Sequence, residues 1–178
     1  MDSRVWYTML VGLVVLERGV ELWISRRSQK SLEARGGYEV GSGHYPWMVL
    51  LHATLPMACV AEVWIAPRVF HPVLGISMAF VVALAMSLRY WVISSLGERW
   101  TTRVVVLPGA PLVRTGPYRW LRHPNYLAVA LEVAALPMIH SAWITATLFS
   151  TANALILKER LAVENTALGE VGAKREST

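Results

Sequence analysis

The sequence predicts an all-α fold, a polytopic membrane helix bundle of three spans followed by a C-terminal helical hairpin, about five membrane helices in a single domain of 178 residues. Three observations predict it. Hydrophobic residues make up 54% of the chain and charged residues only 16%, where a soluble domain carries about a quarter charged residues. The apolar residues fall in long blocks instead of helical stripes, and mean hydropathy is +0.42. The basic residues flank those blocks, the usual mark of cytoplasmic loops. The net charge of +5 therefore does not point to nucleic acid, which would require one basic, aromatic-studded domain. The single cysteine, Cys59, lies in an apolar run and has no partner for a disulfide within the chain.

Crossing a bilayer takes about 20 mostly apolar residues in a helix, because an open strand in lipid leaves its backbone donors unpaired. Val5 to Ile24, Pro46 to Ala66 and Pro72 to Ile93 qualify. The first is expected to be retained, since Asp2 and Arg4 precede it and no small-residue cleavage site follows. Asn125 to Met138 is shorter, about 21 Å of helix. Pro137, His140 and Ser141 then mark a turn, and Ala142 to Leu157 runs back. A helical hairpin is the simplest reading, and one long kinked helix is the alternative, because proline ends or bends a helix. Charge favours the hairpin. It gathers the basic residues of segments 25–45, 94–124 and the tail, thirteen in all, on one side and leaves Arg4 and Arg68 on the other. That bias predicts cytoplasmic loops and tail with the N-terminus outside. The small, polar stretch from Gly169 is expected to fray.

The densest chemistry lies in Gly116-Pro117-Tyr118-Arg119-Trp120-Leu121-Arg122-His123-Pro124-Asn125-Tyr126. Gly-Pro makes a turn and Pro124 opens a helix at its first position. Arg122 and His123 then stand at a helix N-terminus, where an anionic group such as a cofactor carboxylate is favoured. Arrays of arginine, tyrosine and tryptophan also anchor chains at headgroup level, so this stretch alone does not decide between binding and anchoring. Arg160 and Glu164, four apart, share a helix face after the hairpin. Glu132 lies inside the first hairpin helix, where a carboxylate at membrane depth usually marks a functional cavity.

Together these elements resemble the isoprenylcysteine carboxyl methyltransferase family and the related phospholipid methyltransferases. That family carries G-P-Y-R-x-x-R-H-P-x-Y, then a helical hairpin, then R-x-x-x-E-E-x-x-L. Gly116 to Tyr126 matches the first part fully, and Arg160, Glu164 and Leu168 match the last. Asn165 stands where the family has its second glutamate, so no role needing two adjacent carboxylates is carried over. The resemblance spans roughly residues 95–168. It implies S-adenosylmethionine as methyl donor, held by His123, Tyr126, Arg160 and Glu164 on the cytoplasmic side of an integral membrane protein. Arg122 and Glu132 join them as cofactor-binding candidates. No G-x-G-x-x-G follows a strand, so a soluble Rossmann methyltransferase is not expected.

The N-terminal half, residues 1–94, is expected to form the acceptor side. Glu17, Arg18 and Glu21 cluster in the first span, either as a helix-gluing ion set or as part of a site. His44 and His52 lead into and down the second span, and Tyr45 and His52 share a face. Glu62 lies near the far end of that helix and Arg89 near the cytoplasmic end of the third. His44 and His52 are the candidates for a catalytic base; Tyr45, Glu62 and Arg89 are the candidates for touching the acceptor. The pattern E-R-x-x-E-L followed by G-x-E-x-G-x-x-H-Y-P-x-M-V-x-L-H resembles a bacterial branch that O-methylates alkylresorcinols or alkylpyrones beside type III polyketide synthases. It implies a phenolic-lipid hydroxyl as acceptor. The alternatives are carboxyl methylation of an isoprenylcysteine, N-methylation of a phospholipid, or, outside enzymes, a small transporter or assembly factor.

Overall fold

The computed structural model describes residues 2–66 and 68–176, with side chains to Ala167. Five helices carry the fold: α1 (Ser3–Ala34), α2 (Tyr45–Ile65), α3 (Pro72–Leu96), α4 (Pro124–Met138) and α5 (Trp143–Glu176). Asp2 starts α1 by accepting a hydrogen bond from the Arg4 amide at 3.0 Å. The buried positions of α1, namely Tyr7, Val11, Val14, Glu21, Ser25, Ser28 and Leu32, recur at helical spacing, so one stripe faces the bundle along all 32 residues. α2 buries Leu51, Leu55, Cys59 and Val63, one residue per turn. Proline opens α3 and α4, where its missing amide costs no hydrogen bond.

α4 is the central element, packed between α3 and α5. Its Val129, Val133, Ala135 and Leu136 join Tyr7, Leu55, Val63 and Val82 in the apolar core. At 15 residues it is short for a bilayer, but most of its surface is enclosed by neighbouring helices. Outward-facing positions carry Met9, Leu13, Leu16, Trp47, Met57, Phe80 and Leu148, all more than half exposed. That much exposed apolar surface is what lipid-facing helices present and what a soluble monomer avoids. Two segments, Ser42–Ile65 and Pro72–Arg99, are long and apolar enough to cross a membrane.

The hairpin is present: α4 and α5 pack along each other through a tight turn in which Ser141 takes a φ of 57°. The first arm has the expected length and the second is longer than expected. α5 continues as one helix to Glu176, so Arg160 and Glu164 ride on the second arm and no separate segment begins after Leu157. The helix also runs through Gly169, where fraying was expected; the side chains of Leu168, Lys174 and Arg175 lie outside the described residues. A two-residue ribbon absent from the sequence reading, β1 (Tyr38–Glu39) with β2 (Val105–Val106), ties the loop after α1 to the loop after α3.

Glu62 has a structural task. Its carboxylate accepts the Ile144 and Thr145 amides at 3.2 and 2.7 Å and pairs with Arg68 at 2.6 Å. An anion at a helix N-terminus satisfies free amides and opposes the positive end of the helix. Thr145 and Glu164 are separated by roughly 29 Å of helix at 1.5 Å per residue, so Glu62 does not share a site with the Arg-Glu step. Glu62→Ala is expected to lower stability by about 1–2 kcal/mol while leaving small-molecule binding at the other end of α5 unchanged. Thermal unfolding and ligand titration of the same detergent-solubilised sample check both halves of that expectation.

Candidate active site

The Gly116–Arg119 stretch forms a short 3₁₀ turn. Gly116 has a φ of 59°, in the left-handed region, and a Cβ there would collide with the Ser95 hydroxyl of α3. Only glycine meets both conditions. Gly116→Ala is therefore expected to cost about 1–3 kcal/mol and to displace the turn that leads into α4, read as a lowered melting temperature and weakened ligand binding.

His123 occupies the N-cap position of α4 without capping it, which leaves its ring free to face the loop. The ring stacks on Tyr126 at 5.6 Å between centroids, with 14° between planes. Its Nδ1 lies 3.6 Å from Glu164 of α5. The Tyr126 hydroxyl donates to the Glu164 carboxylate and accepts from Arg160 Nε at 2.8 Å. Arg160, 5% exposed, also directs Nη1 at the Met48 sulfur of α2 at 2.7 Å. The two ends of the hairpin thus close on each other at one level, with the mouth of α2 alongside.

His123, Tyr126, Arg160 and Glu164 line a cavity of about 460 Å³ that also takes in Arg122, Asn125 and Tyr118. The far wall is the loop running into β2, including Val104 and Val106. The ribbon holds that loop in place, as does Ser25 of α1, whose hydroxyl accepts the Thr102 amide at 2.8 Å. Burial pushes the Tyr118 phenol up to about 12, and the Glu164 charge adds to the shift, so Tyr118 stays a neutral donor. Three buried polar atoms of lining residues, Trp100 Nε1, His123 Nε2 and Asn125 Oδ1, have no protein partner. Buried polar atoms are almost always bonded, so orphans of this kind mark a place for a polar ligand.

The isoprenylcysteine carboxyl methyltransferase family matches residues 76–170, which takes in most of α3, the cavity loop, the hairpin and the Arg-Glu step. The chain belongs to that family. It is also 34% identical over 171 residues to the uncharacterized protein YpbQ of Bacillus subtilis, covering 94% of this chain and 99% of the relative. An uncharacterized protein of Haemophilus influenzae is 28% identical over 158 residues, covering 88% of this chain and 91% of its own length. Membership makes the chain a membrane methyltransferase of the isoprenylcysteine carboxyl methyltransferase family, whose methyltransferases use S-adenosylmethionine. The residues present fit such a cofactor: the cavity lies within the range of small-molecule sites, a buried guanidinium can meet a carboxylate, and three unsatisfied polar atoms belong to its lining residues.

The remaining candidates divide between three places. His44 is buried at the start of α2, within reach of the Arg160, Glu159 and Glu39 charges. Tyr45 lies under the Arg103 guanidinium at 4.0 Å and beside Thr102, and so belongs to the loop scaffold. His52 donates its Nδ1 proton to the Met48 carbonyl at 2.8 Å and lies near Arg18, Arg89 and Glu132.

Glu132 and Arg89 are brought together, but not at the cavity. Arg89 reaches Glu132 at 2.6 Å and Glu21 at 3.4 Å. Arg18 pairs with Glu132 and Glu21, and with Glu17 at 3.5 Å. The cofactor role expected for Glu132 gives way to membership of this ion cluster, because both its close partners are arginines of neighbouring helices. The residues that sequence reasoning left without a role are Met48, which meets Arg160, and Tyr118, on the cavity lining. Both stand inside the motifs G-P-Y-R and H-Y-P-x-M-V, but what they touch is set only by tertiary packing.

Proposed function

We propose that this chain transfers a methyl group from S-adenosylmethionine to a hydroxyl of a membrane-embedded amphiphile, best matched by an alkylresorcinol or alkylpyrone made by a type III polyketide synthase. One observation carries the reading: His123 and Tyr126 from one end of the hairpin converge with Arg160 and Glu164 from the other around a single cavity of about 460 Å³. When bound, the cofactor supplies a methyl group on a positively charged sulfur. Arg160 and the His123 and Asn125 orphans would hold its polar groups, and Glu164 would take an amino or ribose hydroxyl donor.

In this reading α1, α2 and α3 cross the cell membrane, the α4–α5 hairpin dips into it, and the cavity opens on the cytoplasmic side, in line with the basic bias of the loops. Methyl transfer by direct displacement needs alignment and dryness more than covalent help. A phenolic hydroxyl, with a pKa near 10, gains from a base. His52 suits that task, since committing Nδ1–H to the Met48 carbonyl leaves the Nε2 lone pair as acceptor. Met48 links the two parts, with its carbonyl on His52 and its sulfur on Arg160. His44 at the mouth is the second candidate.

The test is incubation of detergent-solubilised protein with methyl-labelled S-adenosylmethionine and a 5-alkylresorcinol. A labelled methyl ether is expected, and His52→Ala should slow its formation more at lower pH than at higher pH. Cofactor binding with no transfer to resorcinol or pyrone lipids would sink the acceptor; absence of cofactor binding would sink the reaction.

A further inference from the structure

Arginines outnumber carboxylates around the cavity. Arg99, Arg103, Arg114, Arg122 and Arg160 line it, against Glu164 alone. Glu39 holds Arg103 at 2.6 Å, and Glu164 stands next to Arg160 across the shared Tyr126 hydroxyl. Arg99 donates to the Pro111 carbonyl at 2.6 Å, which leaves its charge unbalanced. Among the described residues Arg99, Arg114 and Arg122 have no carboxylate within ion-pair distance, and neither has Arg119 on the same loop. S-adenosylmethionine carries a sulfonium, an ammonium and one carboxylate, so its net charge is positive. A mouth with cations in excess opposes its entry, and a further anion at that mouth relieves the opposition.

The loop that carries these arginines sits at a lipid boundary. Ile76, Phe80, Leu84 and Trp91 are exposed and recur on one face of α3, a stripe suited to lipid. Trp91 ends that stripe at the cavity end of the helix. The Trp120 ring, 69% exposed, lies 5.7 Å from it between centroids. The turn at Gly116 packs against Ser95 and Trp91, so the height of the loop along α3 is fixed. Leu112 and Leu121 add exposed apolar side chains to the same segment. Arg119 lies 5.5 Å from the Trp120 ring, and Arg114, Arg119 and Arg122 are all exposed. Tryptophan beside arginine is the pattern of a segment seated at headgroup level, and unpaired basic residues there attract anionic lipid.

We propose that the 112–122 loop docks an anionic phospholipid headgroup, and that the lipid phosphate, held by Arg114, Arg119 and Arg122, balances the cationic mouth and strengthens binding of the positively charged cofactor. The charge-balancing role rests on the methyl-transfer reading; the lipid surface does not. A zwitterionic headgroup brings its own ammonium and so adds no net charge at the mouth. S-adenosylhomocysteine lacks the sulfonium charge and gains little from the same lipid. The arginines are exposed, so added salt weakens the effect.

The experiment titrates full-length protein in a neutral detergent with dioctanoyl phosphatidylglycerol, dioctanoyl phosphatidylcholine and inorganic phosphate. It then measures the affinities of S-adenosylmethionine and S-adenosylhomocysteine with and without the first lipid. The wild type is expected to bind phosphatidylglycerol at least about tenfold more tightly than phosphatidylcholine. Arg114→Gln combined with Arg119→Gln should reduce that preference to about threefold or less, and the two lysine replacements should preserve it. Phosphatidylglycerol should lower the Kd of S-adenosylmethionine at least about threefold and change that of S-adenosylhomocysteine less than about twofold. Equal binding of the two lipids by the wild type overturns the proposal, as does an undiminished preference in the double glutamine variant. Inorganic phosphate that displaces phosphatidylglycerol at equal concentration overturns the choice of a lipid. An equal gain for the two nucleosides overturns the charge-balancing role. A chain that selects phosphatidylglycerol through these arginines yet binds neither nucleoside would defeat the methyl-transfer reading and leave the lipid surface standing.

Discussion

Replacing Arg160 with alanine is expected to weaken S-adenosylmethionine binding by about 30-fold or more, because truncating one partner of a buried, hydrogen-bonded charge set costs about 2–5 kcal/mol and each 1.4 kcal/mol is tenfold. Arg160 is the hub of the cavity wall: its Nε fixes the Tyr126 hydroxyl, its Nη1 meets Met48, and its guanidinium lies 5.3 Å from the Tyr126 ring centroid. Removing it leaves the Tyr126–Glu164 bond without its counter-charge. Arg160→Lys keeps the charge but not the fork that serves two partners at once, so only part of the affinity should return. Tyr126→Phe should cost less, about tenfold, as a single shared hydroxyl is lost. Isothermal titration on detergent-solubilised protein reads all three. An Arg160→Ala protein of wild-type melting temperature and unchanged affinity would show that the cavity is not the cofactor site.

Arg89→Ala should be the most damaging single change to stability, about 3–5 kcal/mol, because it strips a buried arginine from two buried carboxylates. Glu21 and Glu132 would be left with Arg18 alone. The double variant Arg89→Met with Glu132→Leu removes one charge of each sign and fills the space with apolar atoms. It should recover most of the loss, since well-packed hydrophobic replacements of a buried pair are often neutral or better. Thermal unfolding of the single and double variants checks this. A single variant as stable as the wild type would mean that the cluster is solvated, not buried.

Glu132 shows how far a linear pattern can mislead. It sits seven residues after Asn125, on the same face, and a carboxylate at membrane depth signals function. Those facts were legible, but its partners were not. Arg18 and Arg89 lie 114 and 43 residues away, and nothing in either neighbourhood encodes which helix they will face. Glu62 is the same case in reverse: a polar residue near a helix end read as a contact for the acceptor, when the free amides it satisfies belong to α5, 82 and 83 residues later. Local spacing reports faces, and side-chain pairing across the bundle depends on how those faces meet.

What the linear chain settled was composition, the positions of α2, α3 and α4, the His-Pro turn, the hairpin, and the placing of Arg160 and Glu164 on one face. Each of these follows from a local rule: bilayer thickness against helix rise, proline at a first turn, four residues per helical neighbour. What had to wait for the packed molecule was which buried charges neutralise one another, that α5 runs unbroken past the Arg-Glu step, that Met48 meets Arg160 and that Tyr118 reaches the cavity. Those features arise from contacts between residues far apart in the chain, and such contacts exist only once α4 is enclosed by its neighbours.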